Sequence, residues 1–378
     1  MPVPFELKAD VAAHLAKAVY GLQTQTNVGA AMVSVGSGAP NLHDTVDVGG
    51  ATHVSGESGF GTKSGFGMIS PLKGRQGEWL LVCRGTNSSH IPDVLTDLNI
   101  GIDRGPAGLP VHQGFNKTFK SMKSQVDVAL RGKNPSRVHV VGHSLGGALA
   151  NLFALDFAAR QGVGVNLYTF GQPRVTTVAH TSAVEQIIGR GNTRRVLAVS
   201  DPVPMIPIWP FGHYPDGAHR FNPGLGKISV AAHSMEGSYI PACRGGWPAP
   251  MAPQPPKSVE YWLDKSMSSG GLMNAVALYA LEKALLGILK AVGVVLQGAL
   301  VVSLTMLDWL ASVLATAGQK LARAGQHVAR WLTAAMKFLG QKVVVKTADV
   351  TQRLIKTVLQ KFMQTLGNVA RRAMKMVG

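Results

Sequence analysis

Cysteine is nearly absent from this chain of 378 residues, which has only Cys83 and Cys243. One bridge between them would be the most that the chain can form, and that is not a disulfide framework. We therefore expect the fold to depend on packing rather than on cross-links. Cys83 lies in a predicted strand, EWLLVC, where we expect a buried, apolar thiol.

The amino terminus lacks the basic segment and the apolar segment that a secretory signal peptide requires. It reads MPVPFELKAD. We therefore expect no Sec-type leader in this sequence. The corresponding expectation for location is a cytoplasmic protein that a specialised secretion system exports, or one that associates with a membrane.

Proline is absent after Pro256, whereas residues 246–257 contain five prolines. A stretch of this composition predicts a stiff linker. It divides the chain into a first region, 1–245, and a second region, 258–378, that is rich in Ala, Leu and Val and that we predict to be helical. Within the first region, residues 27–67 are rich in Gly, Ser and Thr and predict loops with short strands.

Acidic residues are scarce near the carboxyl terminus, where residues 310–378 carry twelve basic side chains and only Asp349. Most of the formal net charge of +17 therefore lies in this part. No nucleic-acid-binding motif accompanies the charge, and stacking aromatics are few, so we do not expect nucleic acid as a partner. No clustered metal-ligand spacing is visible either, and we expect neither a metal nor a cofactor.

The same part of the chain has the periodicity of amphipathic helices. Apolar positions recur on one face and basic ones on the other: Leu321, Val328, Leu332, Ala335 and Leu339 against Arg323, Arg330 and Lys337. Basic amphipathic helices suit an anionic membrane surface, and a helical bundle with basic outer faces fits equally well. Residues 291–307 carry no charge and are at the short limit for a membrane span. We predict a buried hairpin helix there, with membrane insertion as the alternative.

The most informative motif is Gly142-His143-Ser144-Leu145-Gly146, which matches the G-x-S-x-G corner that exposes a serine nucleophile. Residues 137–141 predict a buried strand before it, and residues 148–160 predict a helix after it. The small residues Gly142 and Gly146 relieve crowding at such a corner. We therefore predict Ser144 as a nucleophile at a strand-to-helix elbow.

A serine nucleophile needs a basic histidine, and the histidine needs a carboxylate that orients it. In this architecture the partners follow in the order Ser, Asp or Glu, His. Asp201 comes directly after a predicted strand, RVLAVS, and is our candidate acid, ahead of Asp156, Glu185 and Asp216. Three histidines follow Asp201. We favour His233 as the base, with His219 as the alternative and His213 as the third.

The tetrahedral intermediate of acyl transfer requires an oxyanion hole. One donor should be the backbone N–H of Leu145, the residue after the nucleophile. The second should come from a loop after an earlier strand, and residues 78–83 predict such a strand. Thr86 follows it closely and would offer its N–H and its hydroxyl.

Together these segments resemble the class 3 lipase family, which includes the small fungal triacylglycerol lipases. The resemblance covers about residues 60–245 and rests on LLVCRGTNS, VHQGFNKTF, VHVVGHSLGGALA, LYTFGQPRV and RVLAVSDPVPMIP, in family order. It implies an α/β-hydrolase fold, the triad Ser144, Asp201 and His233, oxyanion donors Thr86 and Leu145, and a lid at about 88–98. Family members often have an aromatic residue soon after the histidine, whereas here Tyr239 follows His233 by six residues.

We therefore expect an α/β-hydrolase domain of the class 3 lipase type followed by an all-α domain. The expected function is hydrolysis of lipid esters through an acyl-enzyme, as a phospholipase A-type activity at anionic membranes. A lipase-type domain joined to an Ala/Gly-rich helical tail also resembles bacterial lipase effectors, whose partner would be a cognate inhibitor or immunity protein. The alternatives are a triacylglycerol lipase or esterase, and a membrane-inserting helical toxin in which hydrolysis is secondary. A break at the linker would let a truncation after residue 257 keep activity on soluble esters.

Overall fold

The computed structural model describes residues 5–23, 27–34, 36–57, 63–85, 101–214, 218–221, 226–250, 255–269, 272–292 and 306–376. Its centre is a mixed sheet which, in these ranges, has seven strands in the order β1-β2-β3-β6-β7-β9-β11. The strands are β1 (Thr52–Glu57), β2 (Lys63–Pro71), β3 (Glu78–Cys83), β6 (Arg137–His143), β7 (Gly164–Phe170), β9 (Thr193–Ala198) and β11 (His219–Phe221).

The strands from β3 onward are parallel, whereas β1 and β2 form an antiparallel edge. The carboxyl ends of the parallel strands therefore meet at one edge of the sheet, where ligands bind in open α/β sheets. A smaller antiparallel sheet lies beside it, in the order β10-β8-β5-β4. Its strands are β4 (Ile102–Arg104), β5 (Pro110–His112), β8 (Thr176–Thr177) and β10 (Phe211–Gly212).

Both faces of the central sheet are buried, as the sequence of β3 requires. Leu81 and Cys83 belong to one apolar cluster and Leu80 and Val82 to another, because successive side chains of a strand point to opposite faces. A strand that is apolar at every position must be covered on both sides. This explains why EWLLVC has no polar alternation.

Helices supply the two covers. The first helices are α1 (Ala9–Ala18), α2 (Val28–Ala31), α3 (Gln113–Leu130), α4 (Leu145–Ala158), α5 (Thr181–Ile188) and α6 (Ile240–Cys243). Apolar residues of α1 and α6 pack on the face that Leu80 and Val82 share, and those of α3 and α4 pack on the other. The parallel sheet with helices on both faces is that of an α/β-hydrolase fold, as the sequence predicted.

The second region is helical, also as predicted. It contains α7 (Val259–Ser268), α8 (Ala275–Ala291), α9 (Met306–Lys320), α10 (Ala322–Phe338) and α11 (Gln352–Lys375). The apolar faces of α10 and α11 are buried, with Leu332 and Leu359 fully inaccessible. The amphipathic pattern therefore corresponds to a helical bundle whose basic side chains face outward.

The helical region and the hydrolase region share one apolar core. Leu278, Leu332 and Phe362 belong to the same buried cluster as Leu149 and Leu152 of α4. Two backbone hydrogen bonds also cross between them, Ile228 N–H to Met273 O at 2.9 Å and Ala275 N–H to Gly226 O at 3.3 Å. This packing argues against the expectation that the first 257 residues work alone. The division into domains at 246–257 stays a prediction.

Among the residues described, no helix combines the length and the apolar character that crossing a bilayer demands. The uncharged run 291–307, for which we predicted a hairpin helix, falls largely outside the described residues. Its flanks continue as helix, with α8 ending at Ala291 and α9 beginning at Met306.

Both cysteines are buried as free thiols, so no disulfide joins them. Burial raises the pKa of Cys83 far above its usual range and that of Cys243 to about 12. A thiol that stays protonated is a poor nucleophile and a poor metal ligand. The two side chains therefore act as small apolar residues of the core.

Candidate active site

The predicted elbow is a sharp turn between β6 and α4. Ser144 has φ 58° and ψ −132°, a conformation that a side chain rarely adopts. A Cβ at Gly142 would lie 2.2 Å from Gly146 O, and one at Gly146 would lie 2.2 Å from Cys83 O. Only glycine fits at either position. The predicted elbow residues Gly142, His143 and Gly146 therefore hold a strained serine at the end of β6.

The structure brings Ser144, His233 and Asp201 together in one hydrogen-bonded line. Ser144 Oγ lies 2.8 Å from His233 Nε2, and His233 Nδ1 lies 2.7 Å from Asp201 Oδ2. All three residues are buried. Because Asp201 accepts from Nδ1–H, His233 Nε2 is left to accept the hydroxyl proton of Ser144. This is the arrangement that turns a serine hydroxyl into a nucleophile.

Asp201 follows β9 and is held by two further hydrogen bonds. Its Oδ1 accepts from Val203 N–H at 2.8 Å, and its Oδ2 also accepts from the hydroxyl of Tyr239 at 2.5 Å. A carboxylate buried at zero exposure requires such donors, because an unpaired buried charge is costly. The bonds keep the second Oδ2 lone pair directed at His233.

Tyr239 is a site residue that the sequence did not assign. The five residues Met235–Tyr239 form a π-helical turn, which places the Tyr239 ring beneath Asp201 although six residues separate it from His233. Burial, and then the charge of Asp201, raises the pKa of Tyr239 well above its usual value. Its hydroxyl therefore remains a donor. The signal available in the sequence was an aromatic residue after the histidine, at an unusual spacing.

His143, predicted only as part of the elbow, fixes the backbone of His233. Its Nε2–H donates to His233 O at 3.0 Å, and its Nδ1 accepts from the hydroxyl of Tyr20 at 3.0 Å. Burial, followed by the neighbouring His233, lowers the pKa of His143 well below its usual value. His143 is thus neutral with one tautomer. Tyr20 comes from the segment after α1, and nothing in the sequence linked it to the elbow.

Of the two predicted oxyanion donors, Leu145 lies within the described residues. Leu145 is the first residue of α4, where backbone N–H groups have no partner within the helix and are suited to an anion. β3 pairs with β6 so that Cys83 lies opposite Gly142, which brings Arg84 and Gly85 beside the elbow. Thr86, the predicted second donor, lies outside the described residues, as does the predicted lid at 88–98.

The structure separates the rival residues from the serine. His219 Nδ1 hydrogen-bonds Pro248 O at 2.6 Å, and His213 Nε2 donates to Pro204 O at 2.7 Å. Asp156 pairs with Lys123 and Arg160, and Glu185 pairs with Arg190. Asp216 lies outside the described residues.

A group of His, Cys, Asp and Glu side chains able to hold a metal ion is not found in the described part of the chain.

Comparison with known proteins follows the same residues. The sequence profile of the family described as "Lipase (class 3)" matches residues 80–211. Secreted mono- and diacylglycerol lipase 1 of Fusarium solani is 33% identical over 159 residues, which are 40% of this chain and 46% of the relative. Secreted mono- and diacylglycerol lipase A of Penicillium cyclopium is 33% identical over 104 residues, 26% of this chain and 33% of the relative.

Among solved structures, a triacylglyceride lipase of Rhizomucor miehei shares 23% identity with a TM-score of 0.42, over 57% of this chain and 78% of that one. A mono- and diacylglycerol lipase of Aspergillus oryzae shares 24% identity with a TM-score of 0.40, over 54% and 76%. The chain spans less than half the length of each of these two curated relatives.

Proposed function

We propose that this chain, whose residues 80–211 belong to the class 3 lipase family, is a serine hydrolase that cleaves carboxylic esters of lipids through an acyl-enzyme. The observation that carries the proposal is the hydrogen-bonded line from Ser144 through His233 to Asp201. In ester hydrolysis, His233 can accept the proton of the Ser144 hydroxyl, and Asp201 can stabilise the positive charge that then forms on the ring.

In the first step Ser144 Oγ attacks the ester carbonyl carbon, and its proton passes to His233 Nε2. Asp201 accepts from Nδ1–H and stabilises the positive charge on the ring. The Leu145 N–H holds the negative oxygen of the intermediate, with Thr86 as the proposed second donor. The C–O bond to the alcohol then breaks, and His233 returns its proton to the leaving oxygen.

Deacylation repeats these roles with water. His233 takes a proton from a water molecule that attacks the acyl carbonyl, and the proton then returns to Ser144 as the fatty acid leaves. The curated relatives are named as mono- and diacylglycerol lipases, which supports glyceride esters as one substrate class. Triacylglycerol lipase or esterase activity is the corresponding alternative to a phospholipase.

The outer surface of the helical region favours the phospholipid alternative. Between α10 and α11, Val344 is 80% exposed and Val343 is 44% exposed, flanked by the exposed Lys342 and Lys346. Two apolar side chains between two cations suit the boundary of an anionic bilayer, where each nearby Lys or Arg contributes about 1 kcal/mol. We propose a phospholipase A-type activity at such membranes, with export as an effector and a cognate immunity protein as further proposals.

Product analysis tests the activity and the substrate together. The protein is incubated with anionic phospholipid vesicles, with neutral phospholipid vesicles and with diacylglycerol emulsions, and the released fatty acids are measured. We expect release from the anionic vesicles to be the fastest. Equal rates on anionic and neutral vesicles, with faster release from diacylglycerol, would contradict the phospholipase proposal and support a glyceride lipase.

Two variants and one control variant complete the experiment. The Ser144→Ala protein should release no fatty acid from any lipid, and a variant that still damaged vesicles would favour the membrane-inserting toxin instead. Val344→Asp should weaken binding to anionic vesicles while leaving hydrolysis of a soluble ester unchanged. Val128→Asp, at a 58% exposed position of α3, is the matched control and should bind like the parent.

A further inference from the structure

A cavity of about 590 Å³ lies at the junction of the hydrolase region and the helical region. One wall consists of β9, the first half of α5 and the segment 204–214 that contains β10, and the other consists chiefly of α8. Its volume falls within the range of small-molecule sites. Ser144, His233 and Asp201 do not line it, so it is separate from the triad.

The lining combines an apolar surface with an excess of positive charge. Leu197, Ile208, Leu278 and Leu285 contribute apolar side chains. The charged lining consists of five basic and two acidic side chains, namely Arg174, Arg190, Arg195, Arg220, Lys283, Glu185 and Glu282. The excess is therefore three positive charges. Cations beside an apolar cavity are costly unless an anion accompanies them.

The excess is concentrated where the two regions meet. The guanidinium of Arg220, from β11, lies 5.3 Å from the centre of the Tyr279 ring, and the Lys283 ammonium lies 5.4 Å from the same ring. Within the described ranges, neither cation forms an ion pair with a carboxylate, and Arg220 Nε is buried without a hydrogen-bond partner. Two cations that share one ring and have no carboxylate partner leave positive charge at this end of the cavity, which a bound anion would offset.

The same positive charges affect the neighbouring histidine, His213. Burial, and then the charges of Arg195, Arg174 and Arg220, lowers the pKa of His213 well below its usual value. Of these guanidiniums, Arg174 is matched by Glu282, whose two carboxylate oxygens each lie 2.7 Å from it. His213 is neutral and adds no charge. The polar end of the cavity is thus cationic and the remainder is apolar.

From this arrangement we infer that the cavity binds a long-chain fatty acid as its carboxylate. The head group lies between Arg220 and Lys283 beside Tyr279, and the alkyl chain lies along Leu278 and Leu285. The site is distinct from the catalytic site and goes beyond the proposed ester hydrolysis. It holds a molecule of the class that such hydrolysis releases.

The test uses the Ser144→Ala protein, so that its outcome does not depend on catalysis. Trp209 and Trp331 both line the cavity, and a dibrominated stearate should quench their fluorescence. At mildly alkaline pH we expect saturable binding that oleate reverses, whereas methyl oleate and butyrate compete poorly. Replacing Trp209 and Trp331 together by Phe should remove most of the quenching, and Trp79→Phe, in β3, should not.

Two charge variants locate the head group. Arg220→Gln and Lys283→Gln should each weaken binding of the stearate by about tenfold, because each removes one charge-assisted contact. Arg353→Gln, at an exposed position of α11, removes the same charge elsewhere and should bind like the parent. Both positions under test are partly exposed, so the variants should fold.

Three results would overturn the inference. One is unchanged binding in both charge variants. Another is equal affinity for the acid and its methyl ester, which would exclude a carboxylate site. The third is quenching that survives the replacement of both Trp209 and Trp331 while Arg353→Gln weakens binding, which would place the stearate on the outer basic surface.

Discussion

At the scale of single residues, the candidate active site consists of the triad and of the side chains that hold Asp201 and His233 in place. Tyr239 and His143 each fix one partner, the first through a carboxylate oxygen and the second through a backbone carbonyl. Both are buried, and both have pKa values shifted so that they do not change charge near neutral pH. They position the base without titrating with it.

Tyr239→Phe removes one hydroxyl and keeps the ring. Hydrogen bonds to charged groups contribute about 1.5–3 kcal/mol, so we expect kcat on a soluble ester to fall by roughly tenfold or more with KM little changed. Steady-state kinetics over a range of pH measure both. Tyr261→Phe, at a 43% exposed position of α7, serves as the control. A folded Tyr239→Phe protein with the parent's kcat would remove the positioning role.

Gly171 offers a second test at this scale. It has φ +56°, and a Cβ there would lie 2.8 Å from Asp201 Oδ2 and 3.0 Å from His233 Nδ1. Gly171→Ala should therefore lower activity strongly. Gly74→Ala is a matched control with φ +70° and open space around it. Both should lose about 1–2 kcal/mol of stability from the left-handed backbone, but only the first should lose activity. Equal activities would contradict the geometry of the site.

At the scale of elements, the sequence predicted those strands and helices whose formation depends on residues close together in the chain. The predicted strand EWLLVC is β3 to the residue, and the strand and helix around Ser144 differ from β6 and α4 by a few positions at their ends. A run of apolar residues, a glycine corner and an apolar helix are all readable without tertiary context. Chain order alone leaves three histidines after Asp201, and the resemblance to the lipase family favours His233 among them.

Other parts of the site depend on contacts between distant segments. Tyr20 and His143 are 123 residues apart in the chain, and only the packing of the α1 segment against β6 joins them. The π-helical turn that places Tyr239 under Asp201 has no periodic signal in MEGSY. The cavity at the junction likewise needs two regions that no sequence pattern links.

The pair of helices α7 and α10 is joined by Glu260, which lies 3.0 Å from His327 Nε2 and 2.6 Å from Arg323. Hydrogen bonding from Arg323, in the first place, lowers the pKa of Glu260 from 4.5 to about 2. A carboxyl with a depressed pKa stabilises the folded state above its unfolded pKa, and this contribution is lost as pH falls from about 4.5 toward 2.

Glu260→Gln should therefore reduce the loss of thermal stability that the protein shows as the pH falls into the acid range. Thermal unfolding at several pH values between neutral and acid measures it, with Glu236→Gln as the control. Glu236 is exposed and pairs with Lys17, outside the helical region. If the thermal stability of Glu260→Gln and that of the parent fall equally as the pH is lowered, the ion pair contributes nothing to stability across this pH range.

At the scale of the whole molecule, the helical region is part of the structure that holds the catalytic loops. Helix α11 packs against Val230–His233 and against Val203–Met205, which carry the base and follow the acid. Trp209 and Trp309 stack across the same junction, with ring centres 5.3 Å apart and planes within 5°. The helical bundle therefore supports the loops that carry His233 and follow Asp201.

A truncation after residue 257 should consequently lose activity on a soluble ester, in contrast to the expectation from the linker alone. It would expose the apolar residues of the shared core and remove the support behind His233. Activity, thermal unfolding and size-exclusion chromatography of the truncated and full-length chains measure the outcome. A stable, monomeric fragment with the parent's kcat would restore the picture of two separable domains.

We propose that Ser144, activated by His233, is the nucleophile of an ester hydrolase. Stoichiometric labelling with a p-nitrophenyl phosphonate ester, followed by mass analysis of the labelled peptide, tests this assignment. We expect one equivalent of p-nitrophenol to be released and the phosphonyl group to be found on Ser144. Labelling should be absent in Ser144→Ala, slower by about 10³-fold or more in His233→Ala, and normal in His219→Ala. A label on any other residue, or equal rates for the two histidine variants, would contradict it.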